Sequence, residues 1–117
     1  MIKLEKYEIE TIKKMEGLME LPDEVAKEKL ENNEYGIDLE IESVTFDYKN
    51  YIIELRVCSG DIISPAIWGE ATLCDYNGEE IYTSDPLDTF KEFSLFYNDN
   101  DELFFEINFE EELVNVR

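Results

Sequence analysis

The chain has 117 residues, 44% of them hydrophobic and 13% aromatic, with five Gly and three Pro, so we expect one folded domain rather than a disordered acidic tail. Thirty acidic residues against ten basic ones give a formal net charge of −20. No run approaches the roughly 18 apolar residues of a membrane span, and the N-terminal residues MIKLEKYEIE lack the apolar stretch of a secretion signal. We therefore expect a cytoplasmic protein.

The N-terminal part of the domain is predicted to be helical. Residues 5–20 place Ile9, Ile12, Met15 and Met19 on one stripe at helical spacing. Pro22 cannot continue that helix but suits the first turn of a second one, over residues 22–33. The predicted helical region is 2–34.

From residue 36 the apolar period changes to that of strands, and the predicted sheet region is 36–112. The alternation of residues 37–48 slips phase, which indicates either a β-bulge near Ser43 or a strand with both sides partly covered. Further strands are predicted over 51–59, 66–76 and 80–84, with turns at residues 48–50 and at Asn77-Gly78. Asp85-Pro86 ends this series, and residues 89–97 and 102–109 form a last hairpin. The expected fold is α+β, with two N-terminal helices packed on an antiparallel sheet of about five to six strands joined by hairpins.

The last hairpin has a predicted register. A loop of residues 98–100 pairs Tyr97 with Asp101, so that two apolar pairs, Leu95 with Leu103 and Phe93 with Phe105, face the core. The opposite face then sets Glu92 against Glu106 and also carries Glu102, Phe104, Phe96 and Phe90. Like charges directly opposite destabilise a sheet. We interpret the pair as a site for a cation supplied by another molecule; screening by solvent, or a register shifted by one residue, is the alternative.

Catalytic chemistry finds little support. The chain has no histidine, which removes the usual general base and the commonest zinc ligand, and it has no nucleophile elbow or phosphate-binding loop. We expect no enzyme, no cofactor and no metal. A calcium-binding module is kept as an alternative because residues 99–102, DNDE, resemble the start of an EF-hand loop, although the sixth-position glycine is missing. Cys58 and Cys74 are expected to be reduced thiols, with a disulfide left open.

The charge is concentrated in the predicted sheet region, because residues 30–117 hold 22 acids and four bases. Like charges disfavour nucleic acid and anionic membranes as direct partners, whereas a basic protein such as a nuclease, a toxin or a nucleic-acid-binding effector is favoured. We therefore predict a non-enzymatic inhibitor, of the general type of toxin immunity proteins or of phage anti-defence proteins that mimic nucleic acid.

The alternative is an adaptor or homo-oligomeric subunit, for example a homodimer, whose acidity is incidental. The predicted partner-binding residues combine acidic side chains with aromatic anchors: Glu92, Asp99, Asp101, Glu102, Glu106, Glu110, Trp68, Phe96, Tyr97 and Phe104.

Overall fold

The computed structural model describes residues 1–22, 24–26, 28, 40–59, 67–98 and 100–117. One helix and eight strands have defined bounds within these ranges: β1 (Ile2–Lys3), α1 (Lys6–Met19), β2 (Glu40–Tyr48), β3 (Tyr51–Ser59), β4 (Ile67–Asp75), β5 (Glu80–Thr83), β6 (Glu92–Phe96), β7 (Glu102–Asn108) and β8 (Leu113–Val116). Residues 24–26 and 28 are also helical. No helix in the described part of the chain is long and apolar enough to cross a membrane.

Both predicted helices are present among the described residues, but the predicted helical region of 2–34 begins too early, because Ile2–Lys3 forms β1. At the start of α1 the backbone N–H of Glu5 donates to Glu8 Oε1 at 2.7 Å, and the predicted stripe buries Ile9, Ile12 and Met15. A new helical turn begins at Pro22, whose carbonyl accepts hydrogen bonds from the N–H groups of Val25 and Ala26, both at 3.0 Å. The rest of the predicted second helix, residues 29–33, lies outside the described ranges.

Sheet I has the antiparallel order β2-β3-β4-β5 and confirms the predicted hairpins. A two-residue turn, Lys49-Asn50, joins β2 to β3, and Lys49 adopts a positive φ of 50°. The β4–β5 turn contains Asn77-Gly78, with Gly78 at φ 84°. The register of β2 shifts between Glu40 and Glu42, so the phase slip in the sequence is a bulge just before the predicted position. Residues 37–39 of the predicted strand lie outside the described part.

Sheet II has the antiparallel order β1-β8-β7-β6 and corrects the predicted architecture. The prediction of one sheet with five to six strands was imprecise, because the eight strands of the described ranges form two four-stranded sheets. The two strands that the sequence did not indicate, β1 and β8, come from the two ends of the chain and pair with each other, with Ile2 opposite Val114. Strands of two and four residues are too short to show a period, and their pairing is not local in sequence.

The core lies between the two sheets and α1, which packs on β2, β3 and β4. Phe105 of β7 occupies its centre: it stacks on Phe93 with ring centroids 5.0 Å apart and meets Phe46 of sheet I edge-on at 6.5 Å. Both phenylalanines of the predicted apolar pair therefore face the core.

Phe90 was placed wrongly by the sequence. It was assigned to the outer face of the last hairpin, but it is fully buried. Strand β6 begins only at Glu92, so the strand alternation does not extend back to Phe90. Instead, the Glu16 carboxylate of α1 accepts hydrogen bonds from the Phe90 N–H and the Thr89 hydroxyl, and Gly69 leaves room for the ring.

Candidate protein-binding surface

The register predicted for the last hairpin is confirmed. Strands β6 and β7 set Glu92 opposite Glu106, Phe93 opposite Phe105 and Leu95 opposite Leu103, and the Tyr97 N–H donates to the Asp101 carbonyl at 3.2 Å. The carboxylate pair is not left to a partner alone, because Arg117 Nη2 lies 3.5 Å from Glu106 Oε2. Both side chains of that ion pair are largely exposed, so its contribution to stability is small.

The predicted partner-binding residues do not form one patch. Phe96, Tyr97, Asp101 and Glu102 lie at the β6–β7 turn, whereas Glu92, Glu106 and Glu110 lie at the other end of the hairpin, where they border one shallow depression. Four residues of strand, or about 13 Å, separate Glu102 from Glu106. Asp99 lies outside the described residues.

The two remaining aromatic candidates belong to other surroundings. Phe104 is half-buried on the outer face of sheet II, with the Arg117 guanidinium 5.4 Å from its ring centroid. Trp68 lies on the outer face of sheet I, where its Nε1 donates to Glu70 Oε1 at 3.3 Å. Neither contributes to the β6–β7 turn.

Three hairpin turns meet at one end of the molecule. The rings of Tyr51 (β3) and Tyr97 lie 6.3 Å apart, and those of Tyr82 (β5) and Phe96 meet edge-on at 5.3 Å. Tyr51 also pairs with Asp75, where β4 ends. We call this end the tip surface, and it comprises the turns and adjoining strand ends of the three hairpins: residues 47–51, 75–82, 96–98 and 100–102.

The tip surface carries exposed apolar side chains. Tyr76 is 66% exposed, Ile81 40%, Phe96 37% and Tyr97 36%. Scattered single hydrophobic residues are normal on a protein surface, but a group that converges from three hairpins is a sign of an interaction site. The sequence pointed to only two of these four, Phe96 and Tyr97.

The described residues of the tip surface also include six acids and one lysine. The acids come from all three hairpins: Asp47, Asp75, Glu79, Glu80, Asp101 and Glu102. Ion pairs between described residues occupy four other carboxylates, which lie outside the tip: Glu42, Glu54, Glu70 and Glu106. The lysine is Lys49, whose ammonium group lies 5.3 Å from the centroid of the Tyr48 ring.

The surroundings of Tyr97 disfavour the charged form of its hydroxyl. Its partial burial and the negative charge of Asp101 raise the pKa of the Tyr97 hydroxyl above its usual value.

The basic residues lie mainly elsewhere. Lys3, Lys6, Lys13 and Lys14 belong to β1 and α1, and Lys14 Nζ lies 2.9 Å from Glu42 Oε2. Lys91 shares a depression beside α1 with Lys13. The helix side of the molecule is thus close to electrically balanced, as the sequence of residues 1–29 indicates, and the tip is not.

The outer face of sheet I holds an internal charge network. Arg56 places its guanidinium 3.0 Å from Glu54 Oε1 and 2.8 Å from Glu70 Oε2. Burial alone would lower the pKa of Arg56, but its hydrogen bond to Glu70 and the two carboxylate charges outweigh burial and raise it. The free thiols Cys58 and Cys74 lie on the same face, opposite Trp68 and Ile52, too far apart along the strands to pair.

The described residues offer no assembled metal site, since no three acidic or cysteine side chains among them are placed to hold one metal ion. The calcium alternative rests on a segment that includes Asp99, which lies outside the described ranges, so it stays a prediction. The chain matches no protein-family model, no curated protein and no solved structure. Any functional conclusion therefore depends on the residues themselves.

The sequence did contain a signal for the missed tip residues. Each predicted turn is flanked directly by aromatic residues: Tyr48 and Tyr51 at the first, Tyr76 at the second, Phe96 and Tyr97 at the third. A turn needs no aromatic residue for its geometry. Aromatic residues repeated beside three turns therefore indicate a shared surface, provided that the turns lie at the same end.

Proposed function

We propose that this protein is a small acidic inhibitor that binds a basic, nucleic-acid-acting protein through the tip surface. The observation that carries the proposal is the convergence there of exposed aromatic side chains with carboxylates that have no ion-pair partner among the described residues. The site requires no catalytic chemistry from this chain.

The aromatic side chains supply the binding energy in this proposal. Interfaces draw most of their affinity from a few residues, with Tyr and Trp enriched among them. Tyr76, Phe96 and Tyr97 each retain at least a third of their surface for such contacts. The tip presents them on short turns between paired strands, so little conformational entropy is lost when they are covered.

The negative charge of the tip favours a partner whose binding surface is positively charged. Six carboxylates and one ammonium at the tip attract a positively charged surface, and this attraction mainly accelerates association and rejects acidic proteins. A net charge of −20 also destabilises the folded chain by self-repulsion. A basic partner relieves that repulsion, so binding and stability are linked.

The density of charge favours a partner that normally holds nucleic acid. The molecule measures 41 Å along its longest axis, so its net charge of −20 corresponds to about one charge per 2 Å. Duplex DNA carries one per roughly 1.7 Å of its axis. A toxin immunity protein and a phage anti-defence protein both fit this description, and neighbouring genes would separate them.

The test is affinity capture from an extract of the native cell at low salt, followed by titration of the purified partner. Two charge-matched triple variants locate the interface: Glu80→Gln/Asp101→Asn/Glu102→Gln at the tip and Glu92→Gln/Glu106→Gln/Glu110→Gln at the opposite end of the last hairpin. Each removes three negative charges from the net −20. We expect the tip variant to weaken binding by about tenfold and to flatten its salt dependence, because rim charges contribute roughly 0.5 kcal/mol each.

The proposal also predicts that the wild-type chain inhibits the partner's nucleic-acid chemistry at equimolar concentration. It would be overturned by a captured partner that is acidic, by undiminished activity of the saturated partner, or by an equal loss of affinity in the two triple variants. Sedimentation at raised salt addresses the homo-oligomeric alternative: a dimer that persists there, and that Phe96→Ala disrupts, would replace the inhibitor reading.

A further inference from the structure

We propose, building on that function, that the partner inserts an arginine side chain into a groove between β5 and β6. The groove is lined by Ile81, Tyr82, Phe96 and Asn98. We call it the Tyr82–Phe96 groove.

The walls of the groove suit a side chain that is apolar along its stem and planar at its end. Tyr82 and Phe96 meet edge-on, with their rings inclined by 74°, and Ile81 and Phe96 keep more than a third of their surface exposed. Arginine can lay its methylene groups along such a surface and stack its guanidinium on an aromatic ring. Lysine lacks the planar group, and its more strongly hydrated ammonium is costlier to bring against an aromatic wall.

A carboxylate is available beside the groove. Glu102 lies directly opposite Phe96 on the neighbouring strand, so the two side chains project from the same face of sheet II, with Cβ atoms about 5 Å apart. Glu102 is exposed and forms none of the ion pairs between described residues. A guanidinium stacked on Phe96 is therefore within reach of the Glu102 carboxylate, which can accept two parallel hydrogen bonds.

Asn98 holds the remaining wall in place. Its Oδ1 accepts hydrogen bonds from the backbone N–H groups of Asn100 and Asp101, both at 2.9 Å, and its Nδ2 donates to Asp101 Oδ2 at 2.5 Å. Asp101 is thus engaged within its own turn. Of these two neighbouring acids, Glu102 is the one whose side chain has no hydrogen bond to the described residues of the turn, and it lies opposite Phe96.

A second groove at the tip is closed to a cation by the chain itself. It is lined by the first hairpin and the β6–β7 turn: Tyr48, Lys49, Asn50, Tyr51, Tyr97 and Leu103. The Lys49 ammonium already lies over the Tyr48 ring, 5.3 Å from its centroid. An incoming cation would meet a like charge in that groove, so the Tyr82–Phe96 groove is the favourable position.

The experiment compares two peptides of equal charge, hexa-arginine and hexa-lysine, by NMR titration of the isotope-labelled protein. We expect hexa-arginine to bind at least about threefold more tightly and to shift the amide signals of residues 81, 82, 96 and 98, because stacking and bidentate pairing are available only to the guanidinium. Phe96→Ala should abolish the difference between the peptides. The control variant Tyr7→Ala, which removes an exposed aromatic ring on α1, should preserve the difference between the peptides.

Equal affinity for the two peptides, or a difference that survives Phe96→Ala in a variant with unchanged thermal unfolding, would overturn the arginine groove. Those results would not touch the proposed function, which the charge-matched variants test with the captured partner. Conversely, selective arginine binding by a protein whose tip variant still binds its partner at full affinity would refute both the proposed function and the partner's use of the groove, and would show only that the groove itself accepts arginine.

Discussion

Gly69 is closely packed, so a larger side chain at this position is expected to lower the stability of the fold. A Cβ atom added there would lie 2.6 Å from Met19 Sδ and 2.7 and 2.9 Å from two ring carbons of Phe90. The thioether can move, but the Phe90 ring is fully buried, and the Glu16 carboxylate binds its backbone N–H. The Gly69→Ala variant must therefore displace a packed aromatic ring or shift β4.

Overpacking of this kind costs about 1–3 kcal/mol. With an unfolding entropy of about 2.1 cal/mol/K per residue, a chain of 117 residues changes by about 0.25 kcal/mol/K, so the expected loss is about 4–12 °C in Tm. Thermal unfolding followed by circular dichroism measures it. In a Phe90→Leu background, where the ring is absent, the same substitution should cost clearly less.

Two other glycines provide controls. A Cβ added at Gly17 in α1 would meet no atom within 4 Å, so Gly17→Ala should raise stability by about 0.5–1 kcal/mol. Gly78 is equally open but has φ 84°, so Gly78→Ala should lower stability by about 1 kcal/mol through backbone strain alone. If Gly69→Ala leaves Tm within about 2 °C of wild type, the close packing of Phe90 on β4 is refuted.

Three further predictions concern buried polar groups and charge. Glu16→Ala should cost about 2–3 kcal/mol in denaturant unfolding, because the buried Phe90 N–H loses its acceptor, while Glu16→Gln, which keeps one oxygen, should cost less; equal losses would contradict this. Burial and nearby carboxylates raise the pKa of the Cys58 and Cys74 thiols in the folded state, so the stability they contribute is complete below the unfolded pKa of about 8.5 and is lost as pH rises beyond it. A Cys58→Ala/Cys74→Ala variant should lose less stability than wild type between about pH 8 and 9.5, and parallel curves would refute the assignment. Raising the salt concentration from about 0.01 to 0.15 M should increase Tm, because screening weakens the self-repulsion of a chain with net charge −20; a flat or falling Tm would show that ion pairs dominate instead.

Much of the fold could be predicted from sequence patterns that span only a few residues. The apolar stripe of α1 and the Asn77-Gly78 turn each depend on residues close together in sequence, and the register of the last hairpin follows from its three-residue loop. The division into two sheets could not be predicted in this way. It depends on the pairing of Ile2 with Val114 across the whole length of the chain, and on β5 and β6 belonging to different sheets although few residues separate them.

The candidate site, too, could be predicted only in part, because local patterns do not show which distant elements become neighbours. Alternation along β6 and β7 correctly assigned Glu92, Phe96, Glu102 and Glu106 to one face, but it could not show that the two ends of that face have different neighbours. Packing of sheet I against sheet II brings Tyr82 to Phe96, whereas Glu106 meets Arg117 at the other end. Strand register therefore identifies every residue on one face of the hairpin, whereas a binding site includes only the part of that face that has suitable neighbours.

The carboxylates of the tip differ in how much the fold itself requires them. Asp75 Oδ1 accepts hydrogen bonds from the Asn77 and Glu79 N–H groups, both at 2.9 Å, so it is part of the turn. Asp101 Oδ2 accepts a hydrogen bond from Asn98 Nδ2 within the same turn. Glu79 and Glu102 accept no side-chain hydrogen bond from the described residues, and their charges only add to the repulsion within the tip. A fold under no other constraint gains stability by replacing them with neutral residues, and the basic partner proposed above would supply the opposite charge that the described part of the tip lacks.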